Sequence, residues 1–276
     1  LARMAEEVLH ALARPMRVES HEVFVSGSIG ISVYPNDGVD AAALLKNADA
    51  AMYRAKEAGK NTYQFFDAQM NAQTFERLLM ESGLRQALER GEFELHYQPQ
   101  VAGDDHQLVG VEALIRWRHP HLGLVSPARF IPLAEETGLI KPIGAWVLRE
   151  ACRQMMAWDA QGLAIPRLAV NLSARQFEQQ SLLHDVAEVL ANTGLEPARL
   201  DLEITESMLM QNPQEAVLLL GELKALGVKL SIDDFGTGYS SLSNLKRFPL
   251  DYLKIDRSFI EGLPGDEDSA AITEAI

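Results

Sequence analysis

Val109-Gly110-Val111-Glu112-Ala113-Leu114-Ile115-Arg116-Trp117 sets apolar side chains at Val111, Ala113 and Ile115 against polar ones at Glu112 and Arg116. Side chains alternate faces along a strand, so the stretch reads as a β-strand with one apolar and one polar side. Four later segments repeat the design. Leu168, Val170 and Leu172 oppose Asn171; Leu200, Leu202 and Ile204 oppose Glu203. Val228, Leu230 and Ile232 oppose Asp233, and Leu253 and Ile255 oppose Lys254 and Asp256. Stretches of helical character follow these strands, so the apolar sides can pack on helices while the polar residues converge on an enclosed cluster. A metal-dependent (β/α) barrel builds its active site in this way.

The bulk composition narrows the possibilities. A chain of 276 residues can hold one barrel-sized domain plus something smaller. A formal net charge of −14 argues against a bulk nucleic-acid binder, because affinity for a polyanion comes largely from Lys and Arg. A small phosphate ligand stays open if metal ions neutralise local carboxylates. Cys152 is the only cysteine, which excludes an intramolecular disulfide and a Cys-rich zinc site; it reads as a reduced thiol on a helix. No apolar run is long enough to cross a bilayer and no signal peptide is visible, so a cytoplasmic location is expected. The chain begins and ends inside helical patterns and reads as a fragment, whose parent could be membrane-anchored through N-terminal domains not included here.

Helical spacing over 1–13, a strand over 22–34, an Ala-rich helix over 40–58 stopped by Gly59, and a strand over 61–66 make a small α/β remnant, residues 1–67. A charged amphipathic helix, closed by Gly91, connects it over 68–91 to the barrel domain, 92–276. That domain opens with a strand over 92–101, and the next begins only a few residues later, past Gly103-Asp104-Asp105. A parallel crossover needs about a dozen residues or more, so these two strands must pair antiparallel. Ser126-Pro127 starts a helix that Gly138 ends; further helices are expected over 140–161, 177–193 and 213–226. The expected fold is therefore a TIM-like α/β barrel with an antiparallel first strand, truncated before its last two strands.

Glu112, Asn171, Glu203 and Asp233 offer hard oxygen ligands from neighbouring strands, which suits Mg²⁺ or Mn²⁺. The adjacent pair Asp233-Asp234 is sharper, since one carboxylate can bridge two cations while its neighbour holds the second. Lys254 supplies a fixed positive charge for a phosphate or an attacking water, and Arg116 could fork onto a phosphate oxygen or a base edge. The loop 234–241 carries two glycines and several hydroxyls, with Glu206 as an acceptor that steadies it. Each residue alone could equally be a salt-bridge partner, and Lys254 could simply pair with Asp256; convergence carries the case. His119 and His121 read as solvent-exposed loop residues.

Glu112-Ala113-Leu114, with Tyr97-Gln98-Pro99, Asn171-Leu172-Ser173, Glu203-Ile204-Thr205-Glu206, Asp233-Asp234-Phe235-Gly236-Thr237-Gly238 and Lys254-Ile255-Asp256, resembles the EAL-domain phosphodiesterases, which hydrolyse cyclic di-GMP to a linear dinucleotide, pGpG. The resemblance implies two divalent cations, Mg²⁺ or Mn²⁺: Glu112, Asn171, Glu203 and Asp233 on one, Asp233 and Asp234 on the second. It implies catalytic roles for Lys254, Glu206 and Asp234, and substrate contacts for Gln98, Arg116 and Asp256. It also implies a homodimer through the barrel and upstream sensory domains. The family's seventh-strand glutamate and eighth-strand glutamine would fall after Ile276, so the fragment is expected to lack full activity. Met52-Tyr53-Arg54-Ala55-Lys56, Gly59-Lys60-Asn61 and Ser28-Ile29-Gly30-Ile31-Ser32 resemble the C-terminal end of a GGDEF domain, whose signature loop lies upstream. A non-catalytic cyclic di-GMP-binding module is the alternative. An enolase-like barrel with Lys254 as base ranks last, because it gives no reason for a side-by-side Asp pair.

Overall fold

The computed structural model describes residues 1–18, 21–23, 25–103, 105–236, 246–263, 265–266 and 273. It divides into two compact units, Leu1–Gly83 and Leu84–Ile276.

The first unit contains α1 (Ala2–Leu12), β1 (Met16–Val18), β2 (His21–Val23), β3 (Ile29–Ile31), α2 (Ala41–Glu57) and β4 (Tyr63–Phe65), and α3 (Ala68–Ala87) begins in it. Asp40 caps α2 by accepting the N–H of Ala43 at 2.8 Å. The expected strand over 22–34 is two separate elements: β2 pairs antiparallel with β1, whereas β3 pairs parallel with β4 across α2. Ser26-Gly27-Ser28 interrupts the run. Gly30 lies so close to α2 that a Cβ there would stand 1.8 Å from the Ala48 carbonyl oxygen, so only glycine lets this strand rest on its helix.

The second unit is built on a sheet of β5 (Phe93–Val101), β6 (Leu108–His119), β7 (Gly123–Val125), β8 (Leu168–Asn171), β9 (Leu200–Thr205), β10 (Lys229–Phe235) and β11 (Tyr252–Ile255). The strand order is β11-β10-β9-β8-β6-β5, with β7 hairpinned onto β6. β6, β8, β9, β10 and β11 run parallel, each beside its predecessor, while β5 is antiparallel to β6, with Gln98 opposite Glu112. The helices α4 (Pro127–Thr137), α5 (Ile140–Ala160), α6 (Ala174–Phe177), α7 (Leu182–Thr193), α8 (Glu206–Gln211) and α9 (Pro213–Ala225) fill the crossovers.

The parity read from the sequence decides the packing. Leu168, Leu200, Leu202, Ile204, Leu230 and Ile232 have no exposed surface. Against them lie α5, which contacts β8, and α9, which contacts β10; Cys152, Met155, Leu220 and Leu223 are fully buried too. Burial of each such side chain is worth about 1.5–3 kcal/mol. Cys152 is a core thiol, pushed up to about 12 by its burial.

Several local expectations are corrected. β7 was not anticipated, and it forms because Gly123, at φ 66°, turns the chain back onto β6. His119 is no exposed loop residue. It is 4% exposed at the end of β6, stacks edge-on against Trp117, and its Nδ1 accepts the N–H groups of His121 and Leu122. Ser126 starts α4 without a side-chain cap bond, and of the helix expected over 177–193 only Leu182–Thr193 forms, as α7, with a break between it and α6, which ends at Phe177. The break follows from a capping box, Ser173 with Gln176, which starts the short α6 directly after β8. Gln176 fits there because Gly144 of α5 leaves the space: a Cβ at Gly144 would stand 2.0 Å from Gln176 Nε2.

Candidate active site

β6, β8, β9, β10 and β11 present Glu112, Asn171, Glu203, Asp233 and Lys254 on one face of the sheet. Lys254 Nζ lies 2.8 Å from Glu203 Oε2, 3.1 Å from Asp233 Oδ1 and 3.2 Å from Glu112 Oε2. Asn171 Nδ2 donates to the other oxygen of Glu112 at 2.7 Å. One carboxylate oxygen from each of Glu112, Glu203 and Asp233 lies within 4.8 Å of the other two, an arrangement able to hold a metal ion. Lys254 pairs with this trio; Asp256 instead caps the 3-10 turn Arg257–Phe259 by accepting the N–H of Ser258 at 2.9 Å.

The electrostatics follow from depth. Glu203 is 1% exposed, and burial pushes its carboxyl up to about 7, with Glu112 and Asp233 adding to the rise and Lys254 opposing it. Burial alone would lower the Lys254 ammonium, but Glu203, Glu112 and Asp233 outweigh it and raise it, so it stays protonated. Ionised, the trio exceeds the single ammonium in charge, and every available donor is a hard oxygen. That chemistry fits a divalent cation such as Mg²⁺ or Mn²⁺.

Asp234 escapes strand parity. Its φ of 53° and a register shift between β10 and β11 over Ile232 to Phe235 bend the strand, as a bulge does. The Asp234 carboxyl is raised by burial and by the nearby charges of Asp233 and Asp256, which places it beside both. Glu206, 4% exposed at the start of α8, accepts the N–H of Gly236 at 3.3 Å and ties down the chain just past the aspartate pair. Residues 237–241 of that loop lie outside the described residues.

Gln98 is exposed on β5, directly across from Glu112. Arg116 is half-buried, donates to the Ile115 carbonyl at 2.9 Å, and lines a cavity of about 420 Å³ with Leu114, Ile143, Asn171, Leu172 and Met208.

Sequence reasoning passed over a second polar layer on the same face. Asp201, 1% exposed, receives Ser231 Oγ at 2.7 and 2.8 Å and has Arg167 Nη1 at 3.5 Å. Arg167 also donates to Gln100 at 2.9 Å and lies over the Tyr252 ring at 4.2 Å. The signal was available: Asp201 and Ser231 stand two positions before Glu203 and Asp233, and Arg167 four before Asn171, so they share their parity.

Residues 81–276 match the EAL domain family, and residues 1–62 match the diguanylate cyclase, GGDEF domain family. The chain belongs to the EAL domain family and carries a GGDEF segment at its N-terminus. Over 275 residues it is 51% identical to the bifunctional diguanylate cyclase/cyclic di-GMP phosphodiesterase MucR of Pseudomonas aeruginosa, covering 100% of this chain and 40% of that protein. It is 40% identical over 276 residues to the cyclic di-GMP phosphodiesterase PdeR of Escherichia coli, covering 100% of this chain and 42% of that protein. The chain thus spans about two fifths of the length of these relatives. Among solved structures, it resembles a PaMucR phosphodiesterase in complex with c-di-GMP at 53% identity and a TM-score of 0.69, covering 71% of this chain and 80% of that one. The FimX EAL domain of Pseudomonas aeruginosa bound to c-di-GMP follows at 28% identity and a TM-score of 0.63, covering 71% and 78%. Among the described residues, no helix is long and apolar enough to cross a membrane.

Proposed function

We propose that this chain belongs to the cytoplasmic phosphodiesterase portion of a longer protein, which hydrolyses cyclic di-GMP to linear pGpG, and that the chain alone lacks full activity. The observation that carries the reading is the gathering of Glu112, Glu203 and Asp233 around Lys254 from parallel strands of one sheet. Its support from outside the chain is the 51% identity to a named cyclic di-GMP phosphodiesterase. The sheet then serves as the wall of a TIM-like barrel, with the substrate at the carboxyl ends of the parallel strands.

Glu112, Asn171, Glu203 and Asp233 would hold one cation, and Asp233 with Asp234 a second. Such a pair supplies a nucleophilic water at neutral pH and neutralises charge on the phosphate. Asn171 orients Glu112 through its amide, leaving its carbonyl oxygen for a ligand. Lys254, kept cationic by three carboxylates, is placed to hold a hydrogen bond to the attacking water or to a phosphate oxygen. Glu206 fixes the Gly236 backbone, so the Asp233-Asp234 pair meets the substrate in one arrangement. Gln98, Arg116 and Asp256 are assigned to the dinucleotide itself; the cavity beside Arg116 offers a base aliphatic side chains and a planar cation. A homodimer through the barrel and upstream sensory domains complete the proposal.

The test is product chromatography on the full-length protein that contains this chain, with cyclic di-GMP and Mg²⁺ or Mn²⁺. Linear dinucleotide, lost in E112A, is expected. Cyclic di-GMP retained uncleaved would overturn the enzyme reading in favour of a binding module.

A further inference from the structure

Lys254 Nζ is nearly equidistant from Glu112 Oε2, Glu203 Oε2 and Asp233 Oδ1, at 3.2, 2.8 and 3.1 Å. These are the side chains whose oxygens cluster closely enough to hold a metal ion. We propose that Lys254 is a resident counter-ion of the cation centre, which competes with the divalent cation for these three carboxylates and thereby holds its affinity down. The inference rests on reading the trio as a cation centre.

Two effects of the ammonium oppose each other. By drawing the carboxylates together it could preorganise them for a metal; as a like charge sharing the same oxygens it repels one. The structure favours the second. Glu112 is held independently by the Asn171 amide at 2.7 Å, and Glu203 and Asp233 are set by the pairing of β9 with β10, in which Ser231 lies opposite Glu203 and Asp233 opposite Thr205. The assembly of the trio therefore does not depend on the lysine, whereas the repulsion acts directly on the incoming cation. Without a cation the balance reverses. Glu203 is 1% exposed, and carboxylates at that depth are costly unless paired. Lys254 thus stabilises the metal-free site and weakens the loaded one. Linkage makes this reciprocal: the cation must loosen the hold on the ammonium by as much as the ammonium loosens the hold on the cation. A centre built this way fills and empties with the surrounding supply of divalent cation.

The experiment is a Mn²⁺ titration of the chelator-stripped full-length protein that contains this chain, followed by calorimetry and by the electron paramagnetic resonance of free Mn²⁺. K254M should bind Mn²⁺ about tenfold more tightly than the wild type, or better, and K254R, which keeps the charge, should stay close to the wild type. Without metal, K254M should melt below the wild type, and saturating Mn²⁺ should close that gap. If K254M does not fold even with Mn²⁺, K254Q carries the same comparison. Binding by K254M that is unchanged or weaker, beside a wild type that binds, overturns the proposal alone. Absence of Mn²⁺ binding in both wild type and variant overturns the cation-centre reading and the proposal with it.

Discussion

The backbone N–H of Asp234 donates to the side chain of Asp233, with 3.1 Å between N and Oδ1, while Asp234 itself sits at φ 53°. Two consecutive strand residues should point to opposite faces. The left-handed conformation at the second breaks that alternation, the Asp233 and Asp256 charges lie near enough to raise the Asp234 carboxyl, and Gly236 at φ 103° lets the chain leave afterwards. The cost of a β-carbon in that conformation is about 1–2 kcal/mol, less for Asp than for most residues.

D234G should therefore unfold at higher denaturant than D234A, by about 1 kcal/mol, although glycine is the more flexible residue. Both should lose hydrolysis at least about a hundredfold in the full-length protein, since each lacks the carboxylate assigned to the second cation. Equal stability of the two variants in urea titrations would remove the strain argument.

E112A and D233A should each lower turnover of cyclic di-GMP by about a thousandfold or more, in keeping with the loss of several kcal/mol of charge stabilisation. Chromatographic initial rates at saturating Mn²⁺ measure this. A residual rate within tenfold of wild type would show that neither residue is a ligand.

The Glu203 carboxyl gives a pH prediction with a definite sign. Its folded value is raised to about 7 from the ordinary 4.5, so folding favours the protonated form. Its contribution to stability is fully present below about pH 4.5 and is lost as the pH rises through about 7, with a slope of at most about 1.4 kcal/mol per unit. Urea titrations of the metal-free protein at pH 5, 6 and 7 should show this decline relative to E203Q, which has no proton to lose there.

S231A should destabilise the fold by about 1–3 kcal/mol, because it leaves the buried Asp201 carboxylate without its hydroxyl partner. The double variant D201N/S231A should recover part of the loss, as it removes the buried charge as well. Guanidinium titrations of the wild type, S231A, D201N and the double variant test the pairing; strict additivity of the two single changes would show that Ser231 and Asp201 are not coupled.

Much of the site was legible because one period governs it. Glu112, Asn171, Glu203, Asp233 and Lys254 are all found on the polar side of strands whose other side is apolar, and period-two alternation survives folding unchanged. The short connection after Val101 likewise forced the antiparallel pairing of β5. What escaped depends on local backbone geometry or on partners distant in sequence. The bend at Asp234 needs a positive φ that parity does not encode. Asp201, Ser231 and Arg167 were readable by face but not by purpose, because what makes them a layer is contact across β8, β9 and β10. His119 looked like surface beside Pro120, yet it serves the turn into β7, a strand too short to show periodicity.

Cys152 has one further consequence. It is the chain's single thiol, it has no exposed surface, and its burial holds the thiolate far from neutral pH. Maleimides and other alkylating probes act on accessible thiolates, so the native chain presents them with no target. Any cysteine introduced on an exposed position would then take a fluorophore or spin label alone, with no need to delete the endogenous residue and disturb the core. The fold supplies its own silent background for distance measurements between chosen pairs of surface sites.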